Sequence, residues 1–380
     1  MLARDDFESR PAIVSANSQE LFDSLSELLM QFQEHSEILD RDGQFPVREF
    51  DQLRAIGALS AVVPERFGGL GIGTEPSSTP DLMRLLCLMG RGNLAVGRVF
   101  EGHVNAITLI RLYGNERQLA AASRDACDGH LFAIWNTEPA PGLRVVGTRL
   151  KGSKIFCSAA GFATRALVTA ITEDGESRML LLPLPGGERM ERLSGRLQGM
   201  RGAHTQQMVF DGFSIEPEAF IGISDDYTRE PAFSTGAWRT SAVTVGGLEA
   251  LVGEAMAQLV ARGRDRNPHQ QSRMGRAIIA QETARLWCSR AAVVAEDLGV
   301  DARQKTAYVN LARIAIESAT LEALRLVQRS IGLVGFLEPN PIERLMRDLA
   351  TYLRQPAADE ALTEAAGWYL KHGNLQKPES

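Results

Sequence analysis

The hydrophobic pattern of the chain changes type twice, at about residue 130 and at about residue 230. In the first part, apolar residues recur every three or four positions, as at Leu21, Leu25 and Phe32, and this spacing predicts amphipathic helices. In the middle part they form short runs between glycines and other turn residues, which is typical of strands in an antiparallel sheet or barrel. In the last part the helical spacing returns. This order does not fit the strand and helix alternation of a doubly wound sheet.

The order predicts an α+β chain, mainly α, with three domains. We expect an N-terminal helical domain at residues 1–130, a β-barrel domain at 131–230 and a C-terminal helical bundle domain at 231–380. Long helices of the last domain are expected over 232–267, 275–299 and 302–332. The four glycines between residues 68 and 73 are interpreted as a turn, because the pattern around them is not that of a dinucleotide-binding motif.

Composition and charge exclude several classes of function. The chain of 380 residues has 47 acidic and 41 basic residues, and it has no basic tract, so nucleic acid is a poor candidate partner. It lacks the start of a secretory signal and any run of about 18 uncharged apolar residues, so we predict a cytoplasmic protein without membrane insertion. The four cysteines are widely spaced and form no metal-ligand pattern with the histidines, so we predict reduced thiols and no metal.

Six segments, in this order, resemble signatures of the acyl-CoA dehydrogenase family of flavoproteins. They are LSAVVPERFGGLG at 59–71, WNTEP at 135–139, GSKIFCS at 152–158, GMRG at 199–202 followed by VFD, GLVGF at 332–336, and ERLMRD at 343–348. The resemblance spans nearly the whole chain. It implies a helical N-terminal domain, a central β-barrel and a C-terminal four-helix bundle. It also implies FAD between barrel and bundle, reaching into a neighbouring subunit of a homodimer or homotetramer.

The first group of residues that the resemblance assigns to FAD lies on the barrel. Phe156 would form the aromatic wall of the flavin ring and Ser158 would place a hydroxyl near flavin N5. Two positions apart on a strand, these residues are expected on one face. The alternative is a core Phe156 and a turn hydroxyl at Ser158. Trp135, Asn136 and Thr137 would meet the pyrimidine edge of the flavin.

The second group of cofactor residues lies in the C-terminal domain. Arg264 is the candidate for the diphosphate of FAD, and Gln271 is a weaker one; a solvated helix end is the alternative for both. Gln328 and Gly332 complete the set that the resemblance implies.

The catalytic base is where the sequence departs most from the family. Dehydrogenation of an acyl thioester needs a carboxylate that removes the α-proton. Most family members have a glutamate shortly after the arginine-aspartate signature, whereas this chain has Gln355 there, and a neutral amide cannot accept the proton. The nearest acids, Asp359 and Glu360, follow one helical turn later; Asp359 is the candidate that we retain, with a solvated helix start as its alternative.

Three functions remain open from the sequence. The first is an FAD-dependent, acyl-CoA dehydrogenase-like oxidoreductase of fatty acid metabolism, which acts on an acyl-CoA or related thioester with an unconventional base and passes electrons to a protein partner. The second is a flavin-dependent monooxygenase on the same fold, in which His103 would face the flavin unless it is a buried structural histidine. The third is a non-catalytic paralogue that binds flavin or acyl-CoA.

Overall fold

The computed structural model describes residues 17–373, with helices at both ends of the chain and sheets between them. The N-terminal helices are α1 (Ser18–Asp42), α2 (Val47–Ala55), α3 (Thr79–Gly92), α4 (Leu94–Tyr113) and α5 (Glu116–Cys127). α1 starts where the Asn17 side chain accepts the Glu20 N–H, and it ends at Gly43, whose φ of 63° is left-handed. The glycines at 68–73 form a turn after a short 3-10 helix, as predicted.

The middle of the chain forms two sheets. Their strands are β1 (Phe132–Trp135), β2 (Arg144–Val146), β3 (Arg149–Lys151), β4 (Ser153–Cys157), β5 (Arg165–Ile171), β6 (Ser177–Pro183), β7 (Arg189–Glu191), β8 (Gln206–Val209) and β9 (Phe220–Ile221). One sheet has the order β3-β2-β5-β6-β9, with β1 also paired to β5, and the other has the order β4-β8-β7. β1 and β2 both run parallel to β5. The expected antiparallel pairing therefore holds for the other strand pairs and not for these two.

The last part of the chain is helical again. Its helices are α6 (Ala232–Thr235), α7 (Ala237–Ala261), α8 (Pro268–Glu296), α9 (Ala302–Ile331), α10 (Pro341–Tyr352) and α11 (Ala358–His372). The helix predicted over 232–267 is thus interrupted after Thr235 and ends at Ala261. α8 begins earlier than predicted, because Asn267 caps it through the His269 and Gln270 N–H groups and Pro268 is its first residue.

Helices α3 and α7 approach each other closely enough to require glycine at two positions. A Cβ at Gly90 would lie 2.1 Å from the Val243 carbonyl oxygen, and one at Gly246 would lie 1.9 Å from that of Cys87. No side chain fits at such distances, so glycine lets the two backbones touch. This contact fixes the first half of α7 against the N-terminal helices.

One segment is long and apolar enough to span a membrane by length and composition alone, namely residues 232–261. The sequence prediction had found no such segment. Of its most apolar window, 56% is buried inside the fold, and a core helix of a folded protein meets the same criterion. We therefore interpret it as core.

The four cysteines are free thiols, as predicted. Cys157 and Cys288 are fully buried, and burial raises the pKa of both thiols well above the usual range. A thiol that stays protonated is a poor nucleophile, so these two residues serve packing.

Candidate active site

A cavity of about 500 Å³ lies where both helical domains meet the barrel. Helix α4 contributes Glu101 and Asn105, α7 contributes Arg239 and Thr240, and strand β1 contributes Ile134. α9 and the connection between α10 and α11 close the other side. The cavity is of the size that small-molecule sites in proteins usually have.

Glu101 is a buried carboxylate in the wall of this cavity, with 2% of its surface exposed. Arg98 donates to one of its oxygens at 2.5 Å. The Thr240 hydroxyl donates to the other oxygen at 3.1 Å, and the Asn105 amide donates to that same oxygen. A buried charge is tolerated only with such partners. Sequence analysis missed Glu101; the available signal was one acid within the long apolar run of α4.

Arg239 extends the network of Glu101 from the other side of the cavity. Its guanidinium donates to the Asn105 side-chain oxygen at 2.5 Å and lies 3.6 Å from Glu296. Burial lowers the pKa of Arg239, and the charges of Glu296 and Glu101 oppose this. The wall is therefore a fixed polar network that joins α4 to α7.

The cavity lining is predominantly acidic. Its charged residues are Glu101, Glu230, Glu317, Glu360, Glu364, Arg239 and Arg313. Glu317 pairs with Arg354 at 2.5 Å. Glu360 and Glu364, both exposed at the cavity, have no ion-pair partner within residues 17–373. Two arginines thus face five glutamates, of which three (Glu230, Glu360 and Glu364) form no ion pair within residues 17–373.

Gln355 lines this cavity, and Asp359 does not. The Gln355 amide donates to the Tyr352 carbonyl oxygen at 2.8 Å, in the connection between α10 and α11. Asp359 lies in the first turn of α11 and is exposed, whereas the next residue, Glu360, lines the cavity. Of the two acids weighed from the sequence, the geometry therefore favours Glu360.

His103 is fully buried on α4 and is not among the cavity residues. Its Nε2 lies 2.8 Å from the Leu59 carbonyl oxygen, and its Nδ1 accepts the Phe132 N–H at 3.1 Å. Burial lowers the pKa of His103 to about 4, and the Leu59 contact opposes this. Both ring nitrogens are thus engaged by backbone, and the geometry corresponds to the structural alternative.

Phe156 and Ser158 lie at the end of β4, with buried Cys157 between them. We call this solvent-exposed surface of the sheet region the open side of the barrel. Phe156 is 50% exposed and has a φ of 56°, rare for an aromatic residue. The pairing of β4 with β8 is irregular at this point, and Ser158 already lies in the following turn. The regular strand alternation on which the expectation rests is therefore interrupted between the two residues.

The loop that follows β1 is anchored from below by a buried lysine. Lys154 is fully buried, and its ammonium donates to the Asn136 carbonyl oxygen, the Thr169 hydroxyl and Glu138. Burial lowers the pKa of Lys154, while the bond to Glu138 opposes this. The anchor leaves Asn136 and Thr137 exposed on the open side.

Trp135 belongs to the core and does not lie in that open loop. Only 2% of its surface is exposed, and its indole N–H donates to the Ser158 carbonyl oxygen at 2.9 Å. The side chain therefore positions the turn of Ser158 and is not available to an edge of a bound ring.

The second predicted group lies at the far end of the bundle. Arg264 and Gln271 are exposed on either side of the start of α8, and Gln328 and Gly332 lie at the end of α9. α8 and α9 meet here, since Gln270 donates to the Ser330 carbonyl oxygen. α7 has 25 residues, so its two ends are about 36 Å apart. One chain does not bring the two groups together.

Comparison with known proteins identifies the relationship. Residues 15–130 match the family profile described as Acyl-CoA dehydrogenase, N-terminal domain. An acyl-CoA dehydrogenase of Bacillus subtilis (strain 168) is 26% identical over 342 residues, which cover 82% of this chain and 86% of the relative. Similarity to the acyl-CoA dehydrogenase family thus covers residues 15–130 by the family profile, and a relative of that name aligns with most of the chain.

Two further proteins are similar to the chain over most of its length. The amino sugar nitrososynthase DnmZ of Streptomyces peucetius is 25% identical over 357 residues, 87% of either chain. The solved structure of KijD3 in complex with FMN and dTDP-3-amino-2,3,6-trideoxy-4-keto-3-methyl-D-glucose matches with a TM-score of 0.79 and 23% identity over 97% of both chains. The latter likeness shows a common fold, mainly α with a central β domain, as predicted.

Proposed function

We propose that this chain is a flavin-dependent monooxygenase that acts on a polar small molecule bearing an amine. The observation that carries the proposal is the acidic cavity, in which Gln355 replaces the expected base and five glutamates face two arginines. Negative charge attracts a cation and repels the phosphates of an acyl-CoA. The similarity to a protein named as an amino sugar nitrososynthase supports the same substrate class.

The residues at the barrel end fit a flavin ring. A half-exposed aromatic side chain at Phe156 offers a flat wall, and the Thr137 and Ser158 hydroxyls lie on the same open side. Ile134 joins this surface to the acidic cavity. We propose FAD, as the resemblance implies, or FMN, which the solved KijD3 complex contains; both carry the same ring.

The residues of the chain would bind and orient the substrate. A bound reduced flavin would supply the two electrons that O₂ needs. One oxygen atom of O₂ would then be added to the substrate nitrogen, and the other would be released as water. The carboxylates of Glu360 and Glu364 would attract the substrate ammonium to the cavity. Within the cavity, the network of Glu101, Asn105 and Arg239 offers fixed polar groups to a hydroxylated substrate.

Dehydrogenation of an acyl thioester is the second candidate. Glu360 favours it, because this acid lines the same cavity as Gln355 and lies five residues later in the chain. The similarity to the acyl-CoA dehydrogenase of Bacillus subtilis supports it as well. A role in fatty acid metabolism and an electron-transfer partner belong to this candidate only.

We propose a homo-oligomer for either function. The two groups of predicted cofactor residues lie at opposite ends of α7, about 36 Å apart. A second copy of the chain would bring the Arg264 group to the Phe156 group of its neighbour.

The test compares both reactions on one preparation. The protein is loaded with FAD or FMN, and its flavin spectrum is recorded. One arm supplies NADH, a flavin reductase and O₂ with free and nucleotide-linked amino sugars, and mass spectrometry detects products that gain one oxygen atom. The other arm mixes the oxidised protein anaerobically with acyl-CoAs. We expect oxygenated amine and no bleaching; bleaching by acyl-CoA without oxygenation would move the function to dehydrogenation.

Gln355→Glu provides a sharper arm of the same test. If Gln355 occupies the place of the family base, the new carboxylate should introduce bleaching by acyl-CoA. Gln355→Met is the matched control, because it removes the amide without adding an acid. A protein that takes up neither flavin would overturn both candidate reactions and leave the non-catalytic paralogue.

A further inference from the structure

A second cavity, of about 670 Å³, lies between the end of α1 and the segment that joins β7 to β8. It is separate from the acidic cavity, and the two share no lining residue. Its polar lining residues are Arg41, Asp42, Arg192, Arg196, Arg201, His204, Thr205 and Gln206. The Thr205 hydroxyl, which lines this cavity, lies 3.4 Å from the Ser158 hydroxyl. The cavity is therefore next to the surface that carries Phe156 and Ser158.

The charged residues that line this cavity are mainly positive. Four arginines line it against one aspartate, Asp42, which is paired with Arg41 at 3.0 Å. Arg192 and Arg196 have no ion-pair partner in the described part of the chain. Arg196 instead donates to the Arg41 backbone carbonyl oxygen at 3.3 Å, which holds its guanidinium at the end of α1. Positive charge without a counter-charge in the protein attracts an anion to the cavity.

Arg201 forms the floor of the cavity. One of its terminal nitrogens lies 3.5 Å from Asp40, a carboxylate that also binds Arg347 at 2.7 Å. Its Nε is buried and has no hydrogen-bond partner in the described structure. A buried donor without a partner costs free energy unless a ligand or water accepts its proton.

The backbone around Arg201 is held in an uncommon conformation. Met200 and His204, on either side of the short 3-10 helix Arg201–Ala203, have φ values of 58° and 46°. Asp348 accepts the Met200 N–H, and the Ala160 carbonyl oxygen contacts His204 Nδ1 at 2.8 Å. Strained backbone that is fixed from both sides is frequent at ligand sites.

We infer that this arginine-lined cavity binds a phosphoryl group of a small molecule. The guanidinium fork matches phosphate oxygens in pairs, which a scattered lysine surface does not do. The volume accommodates a ligand up to the size of a mononucleotide. The inference does not depend on the proposed monooxygenase activity, because the cavity lies outside the acidic site.

The experiment measures binding of inorganic pyrophosphate and of ADP to the flavin-loaded protein by titration calorimetry. The test variant is the double change Arg192→Ser and Arg196→Ser. The matched control is Arg117→Ser and Arg124→Ser, which removes two exposed arginines of α5. We expect saturable binding of pyrophosphate that weakens about tenfold in the test variant and stays unchanged in the control.

The two probes distinguish the sources of the phosphoryl group. Competition of ADP with pyrophosphate at higher affinity would assign the cavity to a nucleotide, and binding of pyrophosphate alone would assign it to a free anion. Absence of saturable binding of either probe would overturn the inference, as would equal losses in test and control variants. Flavin content and the flavin spectrum should be the same in all variants, which separates this test from that of the proposed function.

Discussion

The two cavities carry charges of opposite sign, and each borders the β-sheet region, the first at β1 and the second at the segment between β7 and β8. The first has five glutamates and two arginines, and the second has four arginines and one aspartate. They also differ in depth. The first contains a carboxylate, Glu101, that is 2% exposed and fully hydrogen-bonded, whereas Arg192 and Arg196 of the second are exposed and lack ion-pair partners in the described chain.

This difference separates two uses of charge. A buried carboxylate with a counter-charge fixes the geometry of a cavity. Removing it leaves its partners unpaired and lowers the stability of the fold strongly. Exposed, uncompensated charges contribute little to folding and act on ligands. We therefore expect changes of the exposed charges to alter which ligand each cavity binds. A change of the buried Glu101 should instead lower the free energy of unfolding.

The largest expected effect comes from Glu101→Ala. The change leaves the half-buried Arg98 guanidinium without its counter-charge and the Asn105 amide and Thr240 hydroxyl without their acceptor, and we expect the free energy of unfolding to fall by about 3 to 5 kcal/mol. Urea denaturation followed by circular dichroism measures it. Glu282→Ala, which removes a glutamate from an exposed pair with Arg285, is the control and should leave stability unchanged. Equal losses in the two variants would break the distinction between buried and exposed charge.

The next effect concerns His103, a buried group behind the first cavity that has no charge partner. Its folded pKa of about 4 lies below the ordinary value of 6.5, so the unfolded chain binds the proton first as the pH falls. Stability contributed by the neutral ring is complete above pH 6.5 and is lost between pH 6.5 and 4, by up to about 3 kcal/mol.

Chemical denaturation across that pH range tests His103. His103→Gln keeps hydrogen-bonding groups but cannot titrate, so its loss of stability between pH 6.5 and 4 should be smaller than in the unchanged protein. Carboxylates titrate in both proteins, and only the difference between the two curves reports His103. Curves of the same slope would show that this histidine titrates normally.

The sequence predicted the order of elements well, because hydrophobic periodicity is a local property. It was less successful where several segments meet. Glu101 is one acid in the long apolar run of α4, and its partner Thr240 lies on α7, far away in the chain. The left-handed backbone of Phe156 follows from an irregular strand pairing that alternation alone cannot show. By contrast, the break before α8 had a readable signal in Asn267 and Pro268.

The placement of candidate site residues shows the same division. Motif resemblance led to Phe156 and Ser158, which do share the open side, and to Gln355, which does line the cavity. It did not reveal that Trp135 is core or that both nitrogens of His103 are engaged by backbone. Burial and hydrogen bonding depend on packing between domains, and no single segment encodes them.

The smallest expected effect comes from removing exposed charges from one cavity at a time and measuring ligand binding to both. Glu360→Gln with Glu364→Gln removes two exposed negative charges from the first cavity and should raise the KM of an amine substrate about fivefold. Pyrophosphate binding should not change, because the second cavity keeps all its arginines. Arg192→Ser with Arg196→Ser should do the reverse, and salt should reduce each effect because exposed charges are screened. If either pair of changes altered both ligands equally, the two cavities would act through their summed field, and the separation by sign would not hold.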